Sequence, residues 1–277
     1  MPIFSESRGY QISVETFSTP DAESSIAVEE RLRHITEPLI PEDVWETMTG
    51  QEFQQHPETL DQLAKTGAWL AENDEVNEWV DWKVFGSLGS LEKGDIQVWT
   101  GKAKKEGHGS EVPFIKSRSI LPMPPEEVVE LLMDSERVKT YNQWSQGRTD
   151  CWIAPAEEGS QKQTKIVKST TQPPLGAKPV VSVTLLHARP WGSDGGWIVV
   201  SRSPGGNAYF DADDSLTSRS DILLGVNLLS PLDEESCILT SLTHVYSPAI
   251  PAMLAERLGA RSAINFAIDV RNSKVPA

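Results

Sequence analysis

The spacing of apolar positions changes character along the chain. Residues 1–20 are polar, with Ser, Thr and Pro prominent, and hold too few large apolar groups to fold on their own. Helical spacing follows, and predicts helices over 21–34, 41–48 and Pro57–Asn73, the last with Leu60, Leu63, Ala64 and Leu70 on one stripe. From Glu78 the period falls to two. Trp79, Asp81 and Lys83 alternate with Val80, Trp82 and Val84, Ile96, Val98 and Thr100 follow the glycine-marked turn GSLGSLEKG, and Val112–Leu121 closes a three-strand group. Pro124 and Pro125 open a helix, because a proline in the first turn gives up an N–H that has no helical partner there. Val128, Val129, Leu131 and Leu132 form its buried stripe. A second short helix, strand-like runs at 146–154, 162–170, 179–189, 196–204, 219–229 and 234–246, and a long helix over 250–271 complete the pattern.

Three strands, two helices, six strands and a closing helix predict an α+β fold with an antiparallel sheet. Ile222, Leu224, Val226 and Leu228 alternate on one strand, and Val181, Val183 and Leu185 on another, giving the period of two that a buried sheet wall requires. A filled core and a cavity wall satisfy that pattern equally.

Composition narrows the function. The 277 residues carry a net charge of −15, and 12 acidic against 3 basic side chains fall in residues 1–58. That balance opposes nucleic-acid binding, which depends on Lys and Arg neutralising phosphate. It also opposes tight standing attachment to anionic membranes, while leaving brief local contact open. No apolar run reaches the roughly 20 residues needed to cross a bilayer, and the first residues lack the order of a secretion signal, so a cytoplasmic protein is expected. Cys151 and Cys237 sit in strand-like sequence and read as buried free thiols.

Catalytic and metal motifs are missing. There is no Gly-x-Ser-x-Gly, His-Glu-x-x-His or P-loop, and His34, His56, His108, His187 and His244 show no metal-ligand spacing. Asp211, Asp213 and Asp214 lack the glycine that a calcium loop needs at its sharp turn, where Leu216 stands. Lys102, Lys104 and Lys105 near His108 read as a solvated hairpin tip. Neither a metal nor a cofactor is expected.

Three stretches carry a resemblance. SEVPFIKSRSILPMPPEEVVELLMDSERVKTYNQWSQGRTDCW (110–152), the Trp99–Gly101 WTG, and SPAIPAMLAERLGARSAINFAIDVRN (247–272) with Phe266, Ala267, Val270 and Arg271 occur in the order found in the START family. The chain resembles these steroidogenic-acute-regulatory-protein-related lipid transfer domains over about residues 60–273. The resemblance implies a helix-grip fold, a curved antiparallel sheet around a long C-terminal helix with an internal lipid cavity. It divides the chain into an acidic extension over 1–58, partly helical or flexible, and a lipid-binding domain over 59–277. It further implies a monomer that is not an enzyme and that binds one phospholipid, sterol or ceramide-like lipid, carrying it between membranes or sensing it.

The resemblance also proposes the site. It points Ile238, Thr240, Leu242, His244 and Tyr246 inward, adds Val181, Val183, Leu185, Leu224 and Val226 as wall, and takes Leu254, Leu258, Ser262, Phe266 and Val270 as the cavity side of the last helix. His244 and Tyr246 become headgroup contacts, with Arg118 a further candidate sharing its strand face with Lys116. The loop Thr171–Lys178, tipped by Pro174 and Leu175, forms a gate with the last helix, whose Arg257 and Arg261 meet lipid phosphates during transient membrane contact. Some sterol-binding relatives bury an acid–base pair in the cavity; here Lys165, Lys168 and Lys178 have no evident inward carboxylate, which leaves the lipid class open. An enzyme on a related scaffold, a cyclase or hydrolase, would need an acid and a base in the cavity, and His244 with Tyr246 is the pair the sequence offers. A lipid-regulated interaction protein is the third reading.

Overall fold

The computed structural model describes residues 57–273, except 78, 105–108, 157, 173–177, 205–216 and 249. The expected helices over 21–34 and 41–48, Lys105, His34, His56, His108, Pro174, Leu175 and Asp211–Asp214 lie outside the described residues. The elements are α1 (Pro57–Glu72), β1 (Val80–Val84), β2 (Gln97–Ala103), β3 (Phe114–Leu121), α2 (Pro125–Met133), α3 (Val138–Tyr141), β4 (Ser145–Ile153), β5 (Gln163–Thr171), β6 (Val180–Trp191), β7 (Gly196–Arg202), β8 (Ser218–Arg219), β9 (Asp221–Asp233), β10 (Ser236–Tyr246) and α4 (Ala252–Asn272). Apart from the two-residue β8, each follows the predicted order.

The strands form one sheet in the order β1-β2-β3-β10-β9-β7-β6-β5-β4, antiparallel throughout except where β8 runs parallel beside β6. Its two faces carry different helices. α1 lies on one, here called the outer face, and α2 and α4 cover the other, the inner face.

The outer face is a packed core. Leu63, Ala64 and Ala68 of α1 recur at helical spacing and pack with Ile198, Val200, Leu224, Val226, Leu228 and Leu242. Leu60 extends the contact to Ile166, Val183 and Leu185. Gly67 interrupts the stripe, although glycine costs about 1 kcal/mol in a helix. A Cβ there would stand 2.8 Å from Val226 Cγ2, so the close approach of helix to sheet requires it.

α4 sits on the inner face across β2 and β3 through a seam of small residues. Gly259, whose Cβ would meet Ile115 at 2.8 Å, is followed by the buried Ala260 and Ala267. Both ends of the helix are tied down. Thr100 Oγ1 donates to Glu256 at 3.1 Å, and Arg271 donates to the carbonyls of Ile120 at 3.2 Å and Gly94 at 2.9 Å. Val270 joins Leu121, Cys237, Leu239, Leu229, Val199 and Trp197 with the α2 stripe of Val128, Val129, Leu131 and Leu132, so one end of the inner face is also solid core. Among the described residues no helix is long and apolar enough to cross a membrane.

Candidate functional site

The other end of the inner face is lined differently. Register lines fix what lies there: Ser117, Ser241, Asn227 and Val199 face each other across β3, β10, β9 and β7, and Ile115, Thr243, Gly225, Ser201 and Leu186 form the next line. Beyond β7 the same face continues with Ser182 and Thr184 of β6 and Ser169 of β5. In a sheet core these positions would be large and apolar. Here Ile115, Val199 and Leu186 alternate with Ser117, Ser241, Thr243, Ser201, Gly225 and Asn227, which are small or polar. Thr243 is exposed although β10 is an interior strand, and Ser169, Ser182, Leu186, Ser201 and Asn227 are only half-buried. This part of the inner face is therefore packed less tightly than the end beside α2.

α4 runs beside these positions, over β2 and β3. Successive residues turn about 100°, so Leu258, Ser262 and Phe266 form a flank beside the seam. All three are half-buried, and Phe266 meets Tyr141 of α3 edge-on with ring centroids 6.1 Å apart. Of the arc assigned from the sequence as the cavity side, Phe266 borders α3, and Val270 lies in the filled core. Leu254, at 41% exposed, reaches toward solvent at the end of this flank, and Arg257 and Arg261 are exposed on a different side of the helix.

The strand assignments are corrected. Thr240, Leu242 and His244 pair with Arg118, Lys116 and Phe114 on the outer face, where Leu224 and Val226 stand opposite His244 and Leu242 and pack with α1 side chains. Val181, Val183 and Leu185 share that phase, and Val183 and Leu185 pack with Leu60. The error is one residue of phase. A single-residue shift moves every side chain of a strand to the other face, and here the more apolar phase belongs to the side that α1 closes.

His244 is a structural residue: Nε2 bonds the Gly109 carbonyl at 2.9 Å and its ring stacks on Phe114 at 3.9 Å. Tyr246 is half-buried at the end of β10, opposite Asp221. Arg118 forks onto Asp74 through bonds of 2.8 and 3.0 Å and donates to Thr240 Oγ1 at 3.2 Å, so it fastens the end of α1. Lys116 beside it is wholly buried. Its ammonium meets Asp74 at 2.9 Å and the Leu70 carbonyl at 3.4 Å, and lies 4.2 Å from the centre of the Trp82 ring.

One carboxylate the sequence did not reveal faces inward. Asp150 of β4 pairs with Lys165 of β5 at 2.8 Å, and Ser135 bridges the two. Burial alone would raise the Asp150 carboxyl, but the bonds from Lys165 and Ser135 and the charges of Lys165 and Arg148 outweigh it and hold the group below its usual range. Arg148 is spent nearby on Tyr141 Oη at 3.0 Å and the Leu132 carbonyl at 2.9 Å. Together these bonds fix α2 and α3 to the far strands. The inner-face row of Ser117, Ser241 and Asn227 was also missed, although its signal is present: strands that pair on both sides should not alternate apolar residues with Ser and Asn unless the second face meets something polar.

No family model matches the chain, and no curated protein matches it in sequence. Solved structures do. The human StarD13 (DLC2) lipid transfer and protein localization domain aligns over 83% of this chain and 99% of its own, with TM-score 0.58 and 13% identity. Human StAR-related lipid transfer protein 5 aligns over 79% and 96% with TM-score 0.60 and 12% identity, and human STARD10 over 76% and 80% with TM-score 0.56 and 17% identity. The likeness is one of fold, at identities of 12–17%. The chain therefore has the helix-grip fold of the START domains.

Proposed function

We propose that the chain binds one lipid between the inner face and α4, and carries it between membranes or senses it. The observation that carries this reading is the set of small or polar positions, several only half-buried, on the inner face of interior strands beside α4. Burial of a few hundred Å2 of acyl or ring surface there supplies several kcal/mol at roughly 25 cal/mol per Å2. The human structures of the same fold named for lipid transfer support the reading by analogy of architecture.

A carrier fits better than an enzyme. The acid–base pair that an enzyme would need from His244 and Tyr246 is not assembled on the inner face, because His244 belongs to the outer core. Entry beside the first half of α4 is consistent with Met253 at 87% and Leu254 at 41% exposed, next to Arg257 and Arg261. Reversing both charges, Arg257→Glu with Arg261→Glu, should slow transfer to anionic vesicles several-fold and leave transfer to neutral vesicles unchanged. Equal rates on both vesicle types would remove these arginines from the docking surface.

The test of binding is mass spectrometry of lipid extracted from the purified protein, together with uptake by Leu258→Trp. The indole should occupy space on the α4 flank, lowering uptake at least tenfold with little loss of stability. Val183→Trp makes the contrast. Set among Leu60, Ile166 and Leu185, it should cost about 1–3 kcal/mol by overpacking while sparing the lipid site. Loss of stability without loss of uptake in Leu258→Trp would mean a filled core.

A further inference from the structure

The two faces of the same strands treat their polar groups in opposite ways. On the outer face Lys116, Arg118 and His244 are bonded to neighbours. On the inner face Ser117, Ser241 and Asn227 stand abreast on adjacent strands, and none of their side chains bonds to a described residue. Ser117 and Ser241 are 2% and 6% exposed, and Asn227 Oδ1 is buried without a partner. A buried polar atom left unpaired is costly, so Asn227 Oδ1, in line with two serine hydroxyls that bond no described residue, persists where something outside the chain bonds it.

Its position says which part of a ligand arrives. On the adjoining register line Leu239 and Leu229 belong to the solid inner core, so the row is the floor of the space beneath α4. A bound amphiphile puts its polar end there.

The charges decide the chemistry of that end. Lys165 is held by Asp150, Arg148 by Ser135, Tyr141 and the Leu132 carbonyl, and Glu256 accepts from Thr100. A phosphate on the floor would be buried without a free cation among these groups, and a quaternary ammonium without a free carboxylate. A hydroxyl or an amide both donates and accepts, as do serine and asparagine.

Resting on the lipid-binding reading above, we infer that the ligand is an uncharged amphiphile whose hydroxyl- or amide-bearing end is received by Ser117, Ser241 and Asn227. Among the described charged groups named above none is free to neutralise a phosphate, and a purely apolar lipid would leave Asn227 Oδ1 unpaired.

The experiment gives the full-length protein donor vesicles holding, in turn, a fluorescent ceramide, a fluorescent sterol, and a phosphatidylcholine and a phosphatidic acid with the same fluorophore on the acyl chain. At least one neutral probe should be taken up tenfold or more above both phospholipids. Asn227→Leu should lower that uptake about tenfold, equivalent to about 1.4 kcal/mol, with the melting temperature unchanged or raised. Ser241→Ala, a smaller change that keeps the packing, should act in the same direction. Phospholipid uptake equal to that of the neutral probes, or wild-type uptake by both variants, would overturn the inference while sparing lipid binding. A folded wild-type protein that takes up none of the four would overturn the lipid-binding reading, and this one with it.

Discussion

Asp74→Ala is expected to destabilise the protein by about 3 kcal/mol, whereas Lys116→Met should cost about 1 kcal/mol. The asymmetry follows from burial. Lys116 is fully enclosed and Asp74 is a third exposed, so removing the carboxylate strands a buried ammonium, while removing the lysine removes its desolvation cost too. What Lys116→Met loses is the donor to the Asn73 carbonyl at 2.5 Å and to the Leu70 carbonyl at 3.4 Å, at the end of α1. Urea unfolding measures the totals, and hydrogen exchange over 57–72 reports whether α1 lifts first. A Lys116→Met variant less stable than Asp74→Ala would refute the account.

The same lysine gives the protein an alkaline signature. Burial, opposed by the Asp74 bond and charge, brings the Lys116 ammonium down to about 8 from 10.5. Above pH 8 the unfolded chain keeps a proton that the folded one has released, so unfolding free energy rises between about pH 8 and 10.5 and is lower, by a constant amount, below that window. Lys116→Met should lack this rise.

At acid pH the largest single effect should come from His187. It is 3% exposed on the outer phase of β6, its Nδ1 lies 2.8 Å from Thr164 Oγ1, and burial followed by the charges of Arg189 and Lys162 pushes it down to about 4. The unfolded chain, with its histidine near 6.5, takes up the proton that the folded chain refuses. The contribution is complete above pH 6.5 and is lost progressively as pH falls toward 4, up to about 3 kcal/mol. His187→Gln should flatten the stability profile between pH 4 and 6.5. An unchanged slope in that variant would assign the acid limb to other groups.

How far the sequence could be read is clear from particular residues. Element order was legible because the change from period 3.6 to period 2 at Glu78, the Pro124–Pro125 start and the glycine-marked turns are local signals. Facing was not, because alternation reports a phase and not which layer covers it. In Leu224–Val226–Leu228 the apolar phase serves α1, and the phase carrying Asn227 opposite Ser241, which looks like a solvent face, belongs to the inner face. Lys116 was equally opaque. Its partner Asp74 follows a helix outside the sheet, and no spacing rule joins a strand lysine to an aspartate 42 positions earlier.

The place of β10 between β3 and β9 also governs when the protein can assemble. The bond from Arg118 to Thr240 spans 122 positions, and α1 rests on β7, β9 and β10, all made late in synthesis. During translation the meander β1–β2–β3 therefore emerges with one edge unpaired and with its helix lacking a seat, until residue 246 is made. Closing so long a loop precedes the contacts that reward it, which places this chain among slow-folding topologies. The exposed edge of β3 in that interval, apolar at Phe114 and Ile120, is where a nascent chain would need protection from its neighbours.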